Sequence, residues 1–575
     1  MMMDVMERYE QWWKEERLSE GLREELTALS GDEKEIAERF YQWLEFGTAG
    51  MRGLLGAGTN RMNVHTIRRV AEGLARMVKE HGKEAMQRGV AIAYDTRYQS
   101  QEFAIETARV LGAHGIRSFV FSEARPTPEL SFAIRELNTF SGVVITASHN
   151  PKEYNGFKVY GEDGGQLAPE KVSAIVHHME EIEDLFSIQA VEEDELKADG
   201  LLTMLAEEMD EAYQTQLKTL KLGEFPRDEV SIVYTPIHGT GNIPVQQALR
   251  NFGYTHVEIV KEQEQPDPAF STVEYPNPEE EDALRLAIRL GAKVDADLLL
   301  ATDPDADRLG VAIAMPTSGY DLLTGNQLGA LLLNYVLEQR KLAGTLPKNG
   351  VMLKSIVTSE MGRAIASEYG VETVDTLTGF KYISEKIEEY NNSGDYEFLF
   401  GYEESYGYLI ADFVRDKDAV QAALIAAEAT AYYKSKGSSL HAELLKLYKK
   451  VGYYRESMKS ITIPGKEGAE TIAQILAELR ANPPAELAGI RVAHIEDYQT
   501  GIIRSNEGSE QPTGLPTSNV LKFRLEDGSW CCVRPSGTEP KCKFYIGVKA
   551  ESGMAAVNKC EALESDIMGI VKKLY

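Results

Sequence analysis

Three aspartates stand at alternate positions in the stretch "DPDADR": Asp303, Asp305 and Asp307. In a tight loop, that i, i+2, i+4 spacing gathers three carboxylate oxygens around a hard divalent cation. An EF-hand loop starting at Asp303 would need Gly at its sixth position and Glu at its twelfth, where this chain has Arg308 and Ala314. Mg²⁺ fits better, because it is held by few carboxylates together with phosphate oxygens. The alternative is a solvated acidic turn. A second stretch, "SGVVITASHNPKEYNGFKVYG", ends an apolar, β-branched run at Ser148, with His149 next to it and Lys158 ten residues on. The serine lacks the GxSxG elbow of a hydrolase. It can instead carry a phosphoryl group beside the cation, with His149 and Lys158 neutralising the transferring charge. The alternative is a serine that caps a helix.

Two further loops have polar chemistry. In "VRPSGTEPKCKFY", Arg534, Ser536, Gly537 and Thr538 form a compact donor set. Arginine offers a planar fork to phosphate, and glycine lets backbone N–H groups turn toward an anion. In "GYEESYG", Glu403 and Ser405 can accept and donate hydrogen bonds to vicinal hydroxyls. Lys381 in "LTGFKYI" and Lys417 in "VRDKDA" carry little signal singly.

The elements that position these residues follow one logic. Three times an apolar strand runs straight into a polar loop: "VVITASHNP", "LLLATDPDADR" and "FLFGYEESYG". In open α/β sheets, ligands sit beyond the carboxyl ends of strands, so the three loops are expected to meet in one cleft. Helix-like and strand-like runs alternate along the chain, which argues for α/β domains with largely parallel sheets. The first 45 residues read as helices, with Trp12, Trp13 and Trp43 as packing residues. A chain of 575 residues exceeds what one core serves and divides into several domains. Within the last of them, "SNEGSEQPTGLPTSN" reads as a mobile loop.

Bulk composition narrows the partners. Acids outnumber bases 90 to 61, a net charge of −29, which argues against general nucleic-acid binding and requires local basic clusters at any anion site. No run of eighteen apolar residues is present, and the N-terminus lacks a signal peptide's pattern, so a cytoplasmic protein with no membrane partner is expected. The cysteines Cys531, Cys532, Cys542 and Cys560 have neither zinc-like spacing nor a disulfide framework.

Taken together, "TASHNP", "DPDADR", "GYEES" and "RPSGTEP", in that order, resemble the loops of the α-D-phosphohexomutase family. "FGTAGMRG" resembles its N-terminal substrate loop, and "YTPIHGTG", "TGFK" and "NGFK" match as well. The likeness spans roughly residues 40 to 575. It implies an α/β fold of four-domain phosphohexomutase architecture: three similar α/β domains and a smaller α+β C-terminal domain around a central cleft. The expected divisions are a helical extension over 1–45 packing on domain 1, then domains at 46–210, 211–318, 319–455 and 456–575. The resemblance also implies roles. Ser148 becomes the phosphoserine and, with Asp303, Asp305 and Asp307, holds one Mg²⁺ per chain. Arg52, His149, Lys158, Arg308 and Lys417 surround the transferring group. Thr48, Lys381, Glu403 and Ser405 bind the sugar phosphate, and Arg534, Ser536, Gly537 and Thr538 hold its non-reacting phosphate. The implied reaction interconverts glucose 1-phosphate and glucose 6-phosphate through glucose 1,6-bisphosphate; a monomer is expected, with packing of the N-terminal helices on a second chain as the alternative. Glu-Glu-Ser in the sugar loop looks like glucose-preferring members. The long N-terminus resembles a subgroup containing phosphopentomutases, so pentose and mannose phosphates stay open as substrates. A sugar-phosphate sensor and a Mg²⁺-dependent phosphatase are the other readings.

Overall fold

The computed structural model describes residues 2–47, 50–317, 319–463, 466–536 and 541–574. The chain forms two compact units. One comprises Met1–Leu323, Ser384–Asn392 and Tyr406–Ser435; the other comprises Thr324–Ile383, Ser393–Ser405 and Lys436–Tyr575.

The first unit opens with helices α1 (Met2–Lys14), α2 (Glu20–Ala28) and α3 (Glu33–Phe40). Ser19 and Asp32 cap α2 and α3, their side chains accepting from the Leu22 and Glu35 N–H groups. Trp12, Leu26, Ile36 and Phe40 share one apolar cluster with Ala71, Val110, Leu185 and Phe186. Trp12 meets Phe40, His65 and Phe186 edge-on, and Trp43 lies under the Arg69 guanidinium. Trp13 departs from its expected packing role. It is 42% exposed, because one helical step turns it about 100° away from the face that Trp12 buries.

A seven-stranded sheet follows, built from β1 (Phe46–Gly47), β2 (Gly50–Leu54), β3 (Val90–Tyr94), β4 (Ser118–Phe121), β5 (Ser141–Ile145), β6 (Tyr154–Tyr160) and β7 (Leu202–Leu205). Its order is β1-β2-β6-β5-β3-β4-β7. Helix α4 (Val64–Glu80) enters after β2 and is capped by Asn63 in a reciprocal pair with Thr66. β3 and β5 are buried along their whole length, as expected of central strands covered on both faces. The second sheet contains β8 (Ser231–Thr235), β9 (His256–Ile259), β10 (Leu298–Thr302), β11 (Leu309–Ala314) and β12 (Tyr320–Leu322), in the order β12-β11-β10-β8-β9. Both sheets share a device. A buried parallel strand (β5, β10) turns back through a short polar loop into an antiparallel neighbour (β6, β11).

In the second unit, β13 (Gly350–Ser355), β14 (Glu372–Thr376) and β15 (Glu397–Glu403) are parallel, with β13 central. The strands Tyr453–Thr462, Ile490–Asp497, Leu521–Leu525, Trp530–Pro535 and Lys541–Ala550 form an antiparallel sheet. The helices Lys466–Ala481 and Gly553–Val571 share its apolar core. The stretch read as a mobile loop is partly sheet: Glu510–Pro512 pairs with Ile502–Arg504 around a turn at Gly508, whose φ is +88°. Among the described residues, no helix is long and apolar enough to cross a membrane.

Candidate active site

β5 delivers Ser148 to the loop before β6. The serine is buried at φ +53°, a left-handed conformation that non-glycine residues adopt only when held. Its N–H donates to Thr146 Oγ1 at 2.8 Å, and Thr146 Oγ1 in turn donates to Asp95 Oδ2 at 2.7 Å. Asp95 lies just past β3 and pairs with the Arg97 guanidinium, both side chains being sealed from solvent. Arg97 donates to the carbonyl oxygens of Ser148, Asn150, Pro151 and Tyr154. One planar cation therefore gathers four carbonyls of the serine loop, so their desolvation is compensated. Phe270 covers the guanidinium at 4.9 Å.

The acidic loop between β10 and β11 faces this serine. Asp303, Asp305 and Asp307 are all buried, and one oxygen from each lies within 4.8 Å of the others. Asp303 Oδ1 accepts the N–H groups of Asp307 and Arg308, and Ala306 at φ +50° turns the loop. Ser148 Oγ donates to Asp303 Oδ2 at 2.9 Å and lies 3.2 Å from His149 Nδ1. This geometry replaces the helix-capping alternative. Thr127, at the start of the helix Thr127–Glu136, binds Asp305 through both its hydroxyl and its N–H.

Cations flank the carboxylates. Lys158 on β6 reaches Asp305 at 3.3 Å and Asp307 at 3.9 Å, and Lys417 reaches Asp307 at 2.9 Å. The segment carrying Lys417 is tied down on either side: Tyr160 donates to Asp416 and Tyr213 donates to Asp418. A Cβ at Gly407 would lie 2.2 Å from Lys417 Cδ, so only glycine lets the lysine pass. Arg308 pairs with Glu279 and lies 3.8 Å from Asp307, and Arg52 donates to Asn150 Oδ1 at 2.9 Å. Burial and the adjacent Asp305 and Asp307 push the Asp303 carboxyl well above its usual range. Burial acts the same way on Asp305, yet Lys158 and Lys417 hold it below the usual carboxylate value. Burial, together with Arg308 and Arg52, pushes the His149 imidazole well below its usual pKa.

A cation fits this cluster. Asp305 Oδ1 and Asp307 Oδ1 are buried with no hydrogen-bond partner, an arrangement that leaves lone pairs free for a metal.

Glu403, Ser405, Lys381, Arg534 and Ser536 belong to the second unit. Glu403 Oε1 accepts the Gly379 N–H at 2.7 Å, and its neighbour Glu404 is held by the hydroxyls of Ser355 and Thr358. Lys381 is buried with its ammonium 5.2 Å from the Tyr382 ring centroid. Ser405 is half-buried, ending that segment. Arg534 stands on its strand opposite Lys543, and the Ser536 N–H donates to the Lys541 carbonyl. Thr48, Gly537 and Thr538 lie outside the described residues. Asp95, Arg97, Thr127 and Thr146 were not singled out from the sequence. "DTR" at the end of β3 was the available signal, since it is another strand running into a charged loop.

Four stretches match the domains of one family. Residues 44–185, 211–315 and 324–448 match phosphoglucomutase/phosphomannomutase alpha/beta/alpha domains I, II and III, and 472–562 matches the C-terminal domain. A phosphoglucomutase of Staphylococcus aureus (strain MSSA476) is 37% identical over 530 residues, which is 92% of this chain and 94% of that protein. A phosphoglucomutase of Staphylococcus haemolyticus is 37% identical over 513 residues, 88% of this chain and 91% of that one. Among solved structures, the open form of parafusin, a Paramecium phosphoglucomutase, superposes with a TM-score of 0.66 at 18% identity, covering 93% of this chain and 95% of that one. A phosphoglucomutase/phosphomannomutase family protein from Burkholderia thailandensis gives 0.67 at 17%, covering 92% and 97%.

Proposed function

The chain belongs to the phosphoglucomutase/phosphomannomutase family, the α-D-phosphohexomutases, and on that premise we propose that it is a phosphoglucomutase using Ser148 as its phosphoryl carrier. The observation that carries this reading is the placement of Ser148 Oγ at 2.9 Å from a buried three-carboxylate cluster with free lone pairs. A sensor has no use for such a nucleophile beside such a cluster.

In the proposed reaction, phospho-Ser148 transfers its group to the free hydroxyl of a glucose monophosphate. The Ser148 O–P bond breaks as the sugar O–P bond forms, the hydroxyl proton passes to a neighbouring base, for which Lys158 and Lys417 are the candidates, and the freed Ser148 oxygen is protonated to regenerate its hydroxyl. The resulting glucose 1,6-bisphosphate turns end for end and returns its other phosphate to Ser148. Glucose 1-phosphate and glucose 6-phosphate thereby interconvert. Phosphoryl transfer depends mainly on positioning and charge neutralisation. Arg308, Arg52 and whichever of Lys158 and Lys417 is not the base supply the positive charge, and His149 can hydrogen-bond the serine oxygen. A Mg²⁺ bound by Asp303, Asp305, Asp307 and the phosphoserine would neutralise charge on the transferring group. Glu403 and Ser405 would read sugar hydroxyls, while Thr48, Lys381, Arg534, Ser536, Gly537 and Thr538 would hold the substrate and its second phosphate. A monomer acting in the cytoplasm completes the reading.

Initial rates on glucose 1-phosphate, mannose 1-phosphate and ribose 1-phosphate, with Mg²⁺ and catalytic glucose 1,6-bisphosphate, test it. A dominant glucose rate is expected. A dominant ribose rate would move the protein to the phosphopentomutases. Release of free phosphate would mark a phosphatase, and no turnover together with unphosphorylated Ser148 would mark a sensor.

A further inference from the structure

The matched family domains begin at residue 44, so α1–α3 stand outside the matched domains and have no part in the reaction as described. They do not merely cover the surface. Between β2 and α4 runs the irregular segment 55–63, "LGAGTNRMN", and seven of its residues are buried. A buried loop needs partners for its backbone polar groups. Here α2, α3 and the chain just after them supply those partners. The Ala57 N–H donates to Glu25 Oε2 at 2.8 Å, and Arg39 donates to that same oxygen at 2.9 Å. The Asn60 N–H donates to the Arg39 carbonyl, Asn60 Nδ2 to the Glu38 carbonyl, and Thr59 Oγ1 to the Gln42 carbonyl. In return, the Leu44 N–H donates to the Thr59 carbonyl. The fit is close: a Cβ on Gly58, whose φ is +131°, would lie 2.7 Å from the Arg39 carbonyl oxygen.

On its other side this segment holds β2. The Met62 N–H donates to the Leu54 carbonyl, and the Leu55 N–H donates to the Glu153 carbonyl. β2 needs such support, because among the described residues its outer neighbour is β1, two residues long. Arg52 stands on β2 opposite Gly156 of β6 and donates to Asn150 in the serine loop.

We propose that α2 and α3 are a positioning brace for the β1–β2 hairpin, with Glu25 as its central contact. They fix the register at which Arg52 meets the serine loop and the incoming phosphate. Glu25 and Arg39 are positioning residues acting through residues 56–60; neither touches substrate. The proposal rests on the phosphoglucomutase reading for the role of Arg52.

The test compares the full-length wild type with Glu25→Ala and Glu25→Gln. Glu25 is about half exposed and caps no helix, so these variants are expected to fold. Glu25→Ala should speed amide exchange across residues 50–58 and raise KM for glucose 1-phosphate about tenfold, the scale of one lost charge-assisted hydrogen bond. Its Mg²⁺ affinity should stay unchanged, because the aspartate cluster is untouched. Glu25→Gln keeps an acceptor for the Ala57 N–H and should restore most of the loss. Unchanged exchange at 50–58, or faster exchange with unchanged KM and kcat, would overturn the brace. A wild type without mutase turnover would instead refute the reaction, and exchange together with calorimetric glucose 6-phosphate binding would still decide the brace.

Discussion

Ser148 sits at φ +53° because Thr146, Arg97 and Asp303 hold it there, so its oxygen is aimed before any substrate arrives. Ser148→Ala should lower turnover by about 10⁴-fold or more, the scale for losing a nucleophile, with folding intact by circular dichroism. Arg97→Lys keeps the charge but cannot fork to four carbonyls. We expect kcat to fall about 100-fold while KM changes little, the pattern of a nucleophile displaced by an ångström; equal losses in both would contradict it. Thr127→Val removes a hydroxyl that steadies Asp305 and should weaken Mg²⁺ binding about tenfold by isothermal titration. The reacting residues were legible because each chemistry is local: three aspartates within five residues, and a serine at a strand end. Their supports were not legible. Arg97 lies 51 residues from Ser148 and Thr127 lies 178 from Asp305, so only the folded sheets bring them together.

The N-terminal helix group is exposed to pH through a histidine that packs against it. His65 of α4 is buried between Trp12 and Phe186, neither ring nitrogen has a hydrogen-bond partner, and burial lowers its pKa to about 4. In the unfolded chain the same imidazole titrates near 6.5. The folded form therefore binds fewer protons below pH 6.5, and stability is full above that pH and lost as pH falls toward 4. The loss amounts to about 3 kcal/mol. Urea midpoints between pH 7 and pH 4 should show this slope, and His65→Leu should flatten it. From sequence, these helices were legible as helices by their periodicity, but the partner of each face was not. Trp12 and Trp13 read alike in the chain, and only the fold shows one buried and one exposed. The strand ends were legible for the converse reason, since β5 and β10 are continuous apolar runs that end abruptly in polar loops.

At the scale of the whole molecule, the chain is not one compact body. It has two compact units, and the aspartate cluster belongs to the first. Calorimetry should therefore resolve more than one transition. Mg²⁺ at about 100 times its Kd should stabilise the first unit by about 2.7 kcal/mol and leave the second nearly unmoved, and a chelator should reverse this. A uniform shift of both transitions would show that the units melt together. In a chain of net charge −29, Lys158 and Lys417 are gathered against the buried aspartates and supply the local positive charge that an anionic substrate needs. The four cysteines also bear on experiment. All are buried and free, and burial pushes their thiols up, away from the reactive thiolate. The native chain should therefore react only slowly with maleimide dyes. A single cysteine introduced on each unit would carry a fluorophore pair without first removing any natural thiol, and energy transfer between the dyes could then follow the two units through a catalytic cycle.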